Sequence, residues 1–232
     1  MMNILEAIEA RHAVRDFDDR PIDDEILRHL SDAIDMCNER SGLRIQLIHD
    51  DADAFGGCPT HYGRFKNVRH CIALIGPEGE ALPELAGYYG EMLAVKAVSL
   101  GLGTGWVVLH EISEHEGRWT LRDGDSMPAA IVIGYPVREG RAHKSKPLDE
   151  LGVVEGHEDT GLSDAPAWFV EGVRAASLAP SALGKQPFRM TLLADGRTVR
   201  AEALEGLQPL IGLGAAKYNF EQGAQGADFI WG

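Results

Sequence analysis

Apolar residues recur along this chain with helical and strand periods in turn, separated by stretches rich in glycine, proline and acids. Ile4, Leu5 and Ile8 give residues 2–10 the face of a short amphipathic helix. The basic stretch Arg11-His-Ala-Val-Arg15 follows. Pro21-Ile-Asp-Asp24 then opens a second helix, with Ile26, Leu27, Leu30 and Ile34 on one face and acids in its first turn. Alternation over residues 44–49 predicts a strand, and residues 68–76 predict another that ends in the turn Pro77-Glu-Gly79. The helical period is sustained from Tyr88 to Leu102, through Leu93, Ala94, Ala97, Val98 and Leu100. That run closes on Gly101-Leu-Gly-Thr-Gly105, as helix C-termini often do. Strands are predicted at 106–109 and 129–133, the second closed by Gly134-Tyr-Pro136. A charged, glycine-rich linker covers 138–164. Beyond it a helix is predicted at 166–178, a strand at 188–194 and a helix at 211–220.

Two of these segments run in parallel. Leu30-Ser-Asp-Ala-Ile34 leading to Arg44-Ile-Gln-Leu-Ile-His-Asp-Asp51 matches Ala175-Ala-Ser-Leu-Ala179 leading to Arg189-Met-Thr-Leu-Leu-Ala-Asp-Gly196, without a gap and 145 positions on (44 and 189). Helix–loop–strand units also resemble one another without common origin, but the ungapped Arg-x-x-Leu-[Ile/Leu]-x-Asp match favours an internal duplication.

Composition narrows the reading. The chain has 232 residues, 44% hydrophobic and 25% charged, an ordinary globular mixture able to bury a core. Its net charge of −14, from 36 acidic and 22 basic residues, argues against nucleic acid or an anionic membrane surface as partner. Apolar runs are only strand-length and residues 1–14 hold no continuous hydrophobic stretch, so neither a membrane span nor a signal peptide is expected. Cys37, Cys58 and Cys71 are odd in number and lack C-x-x-C spacing, which predicts free thiols in a reducing, cytoplasmic setting and no zinc site.

Gly101-Leu-Gly-Thr-Gly105 is no dinucleotide fingerprint. A helix precedes it where a strand is needed, and its third glycine comes one position early. His110-Glu-Ile-Ser-Glu-His115 is no zincin helix either: histidines five apart point away from one another at about 100° per residue. Two basic pairs, Arg11 with Arg15 and Lys144 with Lys146, are candidates for an anion pocket in an otherwise acidic protein. The loop Ala179-Pro-Ser-Ala-Leu-Gly-Lys-Gln-Pro-Phe188 offers a hydroxyl, bare backbone and an amide to the edge of a heterocycle.

Taken in order, these motifs resemble those of the nitroreductase family, and more closely its internally duplicated, single-chain branch. Arg11-His-Ala-Val-Arg-Asp-Phe17 is similar to the family's R-R-S-V-R-x-F phosphate element. Gly87-Tyr-Tyr-Gly-Glu91 through Val107 resembles its central helix and the strand that faces the flavin. Gly134-Tyr-Pro136 with His143-Lys-Ser-Lys-Pro-Leu-Asp-Glu150 resembles its closing strand and second phosphate element. Ala179-Pro-Ser181 with Gln186-Pro-Phe188 resembles its A-P-S-x-x-N-x-Q-P-W loop. Ala13, His12 and Gly184 depart from the usual serine, arginine and asparagine.

The resemblance implies an α+β fold, a mainly antiparallel central sheet flanked by helices, with two degenerate repeats forming a pseudo-dimer. Residues 1–164 would be the first repeat, with the phosphate elements, and 165–232 a shorter second one, with the flavin-edge loop. It implies one FMN per chain, its phosphate held by Arg11, Arg15, Lys144 and Lys146, with His12 and Ala13 also among the cofactor-binding positions. Val108 and Leu109 would lie near the ring, Pro180, Ser181, Ala182 and Gln186 on its other side, and Lys66 near the reduced ring. The activity implied is ping-pong transfer of electrons from NADH or NADPH to a nitroaromatic, quinone or similar small acceptor. The chemistry is centred on the flavin, with no catalytic side chain. A flavin-storage protein, or a flavin oxidase or dehalogenase of the same fold, is the alternative.

Overall fold

The computed structural model describes residues 2–60, 64–110, 118–142, 144–157 and 161–232. Helix α1 (Ile4–Ala10) starts at a capping box, in which Asn3 accepts from the Glu6 N–H while Glu6 accepts from the Asn3 N–H. Helix α2 (Asp24–Ser41) carries acids in its first turn and ends on Gly42, whose φ of +72° suits the left-handed cap. Strands β1 (Gln46–Ile48) and β2 (Cys71–Pro77) lead to α3 (Leu82–Ser99), then β3 (Gly103–Val107) and β4 (Asp125–Gly134). These four strands form one antiparallel sheet in the order β1-β2-β4-β3. Helices α2 and α3 cover one face of it through Leu30, Ile34, Leu93 and Ala97. On the other face Val14, Phe17, Phe55 and Trp119 close over Ala73, Ile75 and Val132.

The second half adds α4 (Leu148–Leu151), β5 (Gly152–Val154), α5 (Ala167–Ala176), β6 (Phe188–Leu192), β7 (Thr198–Ala203), α6 (Pro209–Gly223) and β8 (Ile230–Trp231). Its sheet runs β5-β6-β7-β8. Only the central pair is antiparallel, because the short edge strands β5 and β8 arrive from outside the hairpin. Strands β5, β7 and β8 were not expected from the sequence. Helices α3 and α6 start earlier than expected, since Pro83 and Pro209 each stand in a first turn that needs no N–H from them.

The order helix–strand–strand–helix thus occurs twice, as α2-β1-β2-α3 and α5-β6-β7-α6. Helices α3 and α6 cross where each has a glycine. A Cβ on Gly87 would press on the backbone of Ile211, and one on Gly214 on the backbone of Glu84 and Tyr88. Gly87 and Gly214, like Glu84 and Ile211, are 127 positions apart, so the contact is reciprocal. Both helices are apolar on nearly every side because neighbours surround them. Among the described residues no helix is long and apolar enough to cross a membrane.

Candidate functional site

A cavity of about 630 Å³ opens between the halves, within the range of small-molecule sites. Its first wall is the segment from Arg11 to Asp16, which lies across β3: Ala13 bridges to Thr104, and the Val14 N–H donates to the Thr104 carbonyl at 2.8 Å. Glycines make this approach possible. A Cβ on Gly103 would meet the Val14 side chain at 2.9 Å, and one on Gly105 would run into the Val14 backbone. Gly101, with φ of +88°, ends the preceding helix. The glycine-rich run is therefore a helix-to-strand turn, as expected, and also a bed for the basic segment.

Trp106, Val107 and Val108 at the end of β3 supply the apolar floor. The loop Arg138–Arg141 forms one side, pressed so close to the basic segment that a Cβ on Gly140 would stand 2.6 Å from the His12 Cβ. The opposite side comes from the second half: Pro180 to Gly184, and Gln208, Ile211 and Gly212 at the start of α6. Arg15, Arg138 and Arg141 make no ion pair among the described residues. Asp16 and Glu139 line the cavity as well, so its four arginines, Arg11 included, outnumber its two carboxylates, a local reversal of sign in a chain of net charge −14.

Arg11 is different. It lines the cavity yet is only 4% exposed, with its Nε 3.0 Å from the Glu91 Oε1 and its Nη2 donating to the Leu178 carbonyl at 2.9 Å. Glu91 is wholly buried on α3. Burial pushes its carboxyl up to about 7, against the pull of Arg11 and the nearby Trp106 and Asn219. These donors face the carboxylate, yet Arg11 Nε, Trp106 Nε1, the Asn219 amide and both Glu91 oxygens are buried without a closed hydrogen bond.

The loop from the second half is held by Gln186, which is fully buried. Its N–H donates to Ser181 Oγ at 2.9 Å, its side-chain amide donates to the Ser177 carbonyl at 2.7 Å, and its Oε1 accepts from the Lys146 N–H at 2.7 Å. Leu183 and Gln186 have φ of +53° and +48°, a left-handed backbone that is costly for them and that this anchoring sustains, while Gly184 between them, at +66°, adopts it freely. Leu183 is left 62% exposed at the cavity mouth.

Of the residues singled out from the sequence, Arg11, Ala13, Arg15, Val108, Pro180, Ser181 and Ala182 line this cavity together. His12 turns into a smaller neighbouring cavity of about 180 Å³. Leu109 is buried in the core and bridges to Thr60. Lys66 is exposed, 3.9 Å from Asp16, and its N–H donates to the Arg15 carbonyl at 2.9 Å. Lys144 is exposed and off the lining. Lys146 and Gln186 brace the loop from behind, the Lys146 Nζ donating to the Gln186 carbonyl at 3.2 Å. His143 and residues 111–117, with most of the histidine segment, lie outside the described residues. Arg138, Arg141, Trp106 and Gln208 were missed. The two arginines flank a glycine just after Gly134-Tyr-Pro136, a signal lost in a stretch read as linker.

Comparison with known proteins places this architecture. A structure from Thermotoga maritima, titled a "putative nitroreductase", is 24% identical with a TM-score of 0.60, over 94% of this chain and 82% of that one. A second, from Desulfovibrio desulfuricans and solved in complex with FMN, is 24% identical with a TM-score of 0.50, over 65% of this chain and 95% of its own. A third, from Parabacteroides distasonis, titled a "Putative NADH dehydrogenase/NAD(P)H nitroreductase", is 22% identical with a TM-score of 0.50, over 65% and 97%. No curated protein matches the chain. The fold is thus α+β and nitroreductase-like. Residues 3–224 match the family described as "Putative TM nitroreductase", and the chain belongs to that nitroreductase family.

Proposed function

We propose that the chain is an FMN-dependent oxidoreductase that uses NADH or NADPH to reduce a small acceptor such as a nitroaromatic or a quinone. The observation that carries this reading is the cavity between the halves, basic at one end and apolar along its floor. The family match and the FMN-bound relative support it. Arg15, Arg138 and Arg141 are free to hold a phosphate by charge-assisted hydrogen bonds. Val107, Val108 and Ile211 offer apolar surface to a planar ring, and Pro180 to Gly184 would cover its edge. A bound flavin would supply the two-electron chemistry between a nicotinamide donor and the acceptor. The chain's own part is to bind and orient the flavin and to exclude water.

We read residues 1–164 and 165–232 as unequal repeats packed as a pseudo-dimer, so that one chain supplies both sides of one site. The ungapped sequence match, the doubled element order and the reciprocal glycine contact support this. Three buried cysteines that form no disulfide, with Cys37 and Cys71 pushed up by burial to about 11 and about 12, fit a chain that works in a reducing cytoplasm.

Absorbance of the protein reconstituted with FMN tests the reading. A yellow protein bleached by NADH or NADPH and recoloured by a nitro compound or quinone is the expected result. A yellow protein inert to both donors would instead mark a flavin carrier. A protein that takes up no FMN would overturn the flavin reading.

A further inference from the structure

Arg11 stands where three environments meet. Its Nε faces Glu91, its Nη2 is fixed to the Leu178 carbonyl of the second half, and its Nη1 makes no hydrogen bond among the described residues and is not sealed from the cavity. A buried guanidinium needs an anion nearby. Two can serve it: the Glu91 carboxylate beneath, or an anionic group bound in the cavity above.

We propose that Glu91 is a proton-linked positioning residue for Arg11, which as a carboxylate keeps the Arg11 charge inside the protein and when protonated yields it to a phosphate in the cavity. The proposal rests on the flavin reading for the identity of that phosphate. The surroundings leave Glu91 as the group that titrates. Arg11, from the end of α1, is always charged. Tyr218, from α6, is pushed up by burial and stays neutral near pH 7. Trp106 of β3 and Asn219 of α6 do not ionise there. Helix α2 brings Cys37, also pushed up by burial, while β2 and β4 turn Leu74, Ile131 and Ile133 toward α3. Glu91 itself is raised to about 7, into the range where a proton is readily exchanged.

Linkage makes the device reciprocal: if protonation favours the bound phosphate, binding the phosphate draws a proton onto Glu91. No bond other than that to the proton changes, and the proton comes from solvent.

Calorimetric titration with FMN, in two buffers of different ionisation enthalpy at pH 7, reads this proton directly. The wild type is expected to take up a fraction of a proton, and to lose about five- to tenfold in affinity between pH 6 and pH 8. The second ionisation of a phosphate monoester, near pH 6, adds charge to the ligand as pH rises and so works in the opposite direction. Riboflavin, which lacks the phosphate, should show neither effect. In Glu91→Gln the proton uptake should vanish, and affinity at pH 8 should exceed that of the wild type. His12, in the neighbouring cavity, serves as the control, and His12→Gln should keep the wild-type profile. That variant also decides the matter if Glu91→Gln fails to fold. A Glu91→Gln profile matching the wild type, or a His12→Gln profile that has gone flat, overturns the proposal alone. Absence of FMN binding at every pH overturns it together with the flavin reading.

Discussion

Gly87→Ala and Gly214→Ala test whether the crossing of α3 and α6 holds the two halves together. A Cβ on Gly87 would stand 2.9 Å from the Ile211 carbonyl carbon, and one on Gly214 would stand 2.7 Å from the Tyr88 nitrogen, with a carbonyl oxygen closer still in each case. These are backbone atoms, so neither clash is relieved by turning a side chain. To reach ordinary contact the helices must part by about 1 Å or more, and a gap of that order forfeits about a quarter to a half of each dispersion contact across it. Alanine returns at most about 1 kcal/mol in helix propensity. The net cost expected is roughly 3–5 kcal/mol for each variant, at or above the upper end of ordinary overpacking because the obstacle is backbone. For a chain of this size that is a fall in Tm of roughly 6–20 °C. The double variant should lose less than the sum, because one separation relieves both clashes. Gly79→Ala, where a Cβ meets nothing within 4 Å, is the control. Thermal melts of the four proteins decide it. If either helix variant melts within about 2 °C of Gly79→Ala, the crossing has slack and the reciprocal contact is not what joins the halves.

Three further outcomes are expected. Arg15→Ala should weaken FMN binding on the order of 10–150-fold. By fluorescence titration Arg138→Ala and Arg141→Ala should cost about tenfold each, and Lys144→Ala less than about twofold; the reverse order would give the phosphate to the lysine instead. Gln186→Ala should destabilise the chain by roughly 2–4 kcal/mol in urea, because it strands the Lys146 N–H and removes the amide donor from the Ser177 carbonyl, while the backbone bond to Ser181 stays; a change below about 0.5 kcal/mol would show that the loop holds itself. For Glu91, raised from 4.5 to about 7, the folded chain keeps a proton that the unfolded chain has released between those values. Stability should therefore fall as pH rises through that window, by roughly 3 kcal/mol, and level off above it. Urea midpoints from pH 5 to pH 8 should show this slope in the wild type and not in Glu91→Gln.

What could be read from the sequence was whatever leaves a local periodic trace. Ile26, Leu30 and Ile34 mark α2 because one face of it is buried, and Leu93, Ala97 and Val98 mark the core of α3. Strand β7 escaped because Thr198-Val-Arg-Ala-Glu-Ala203 has only one fully buried residue, Val199, and its place is set by pairing with β6. At the site, Arg15 and the Pro180 loop were legible through their likeness to family motifs. Arg138 and Arg141 carry no such mark. The close packing of Gly140 on His12 and the Val137 N–H bond to the Asp16 carbonyl bring them to the cavity, and both contacts span more than a hundred residues. The roles of Arg11 and Gln186 were likewise invisible. Whether a guanidinium meets a ligand or a buried carboxylate depends on Glu91, eighty positions away.

On the proposed duplication, the 145-position match also accounts for one such cavity rather than two among the described residues. Helix α5 stops at Ala176, whose counterpart is Ser31, whereas α2 continues to Ser41. The chain freed in the second half, Ser177 to Pro187, becomes the strained loop that walls the cavity. Its counterpart in the first half, residues 32–42, is still helix until Gly42. Proline explains the difference. Pro180 bars the backbone before it from helix, while α2 meets no proline and runs until a left-handed glycine stops it. The mirror-image wall therefore cannot form, and Glu84, where the second helix has Ile211 facing the cavity, is tied instead to Lys217 at 2.8 Å. The first half lacks the loop and the second lacks the arginines. A ligand that needs a basic end and a covered edge finds both only where the two halves meet.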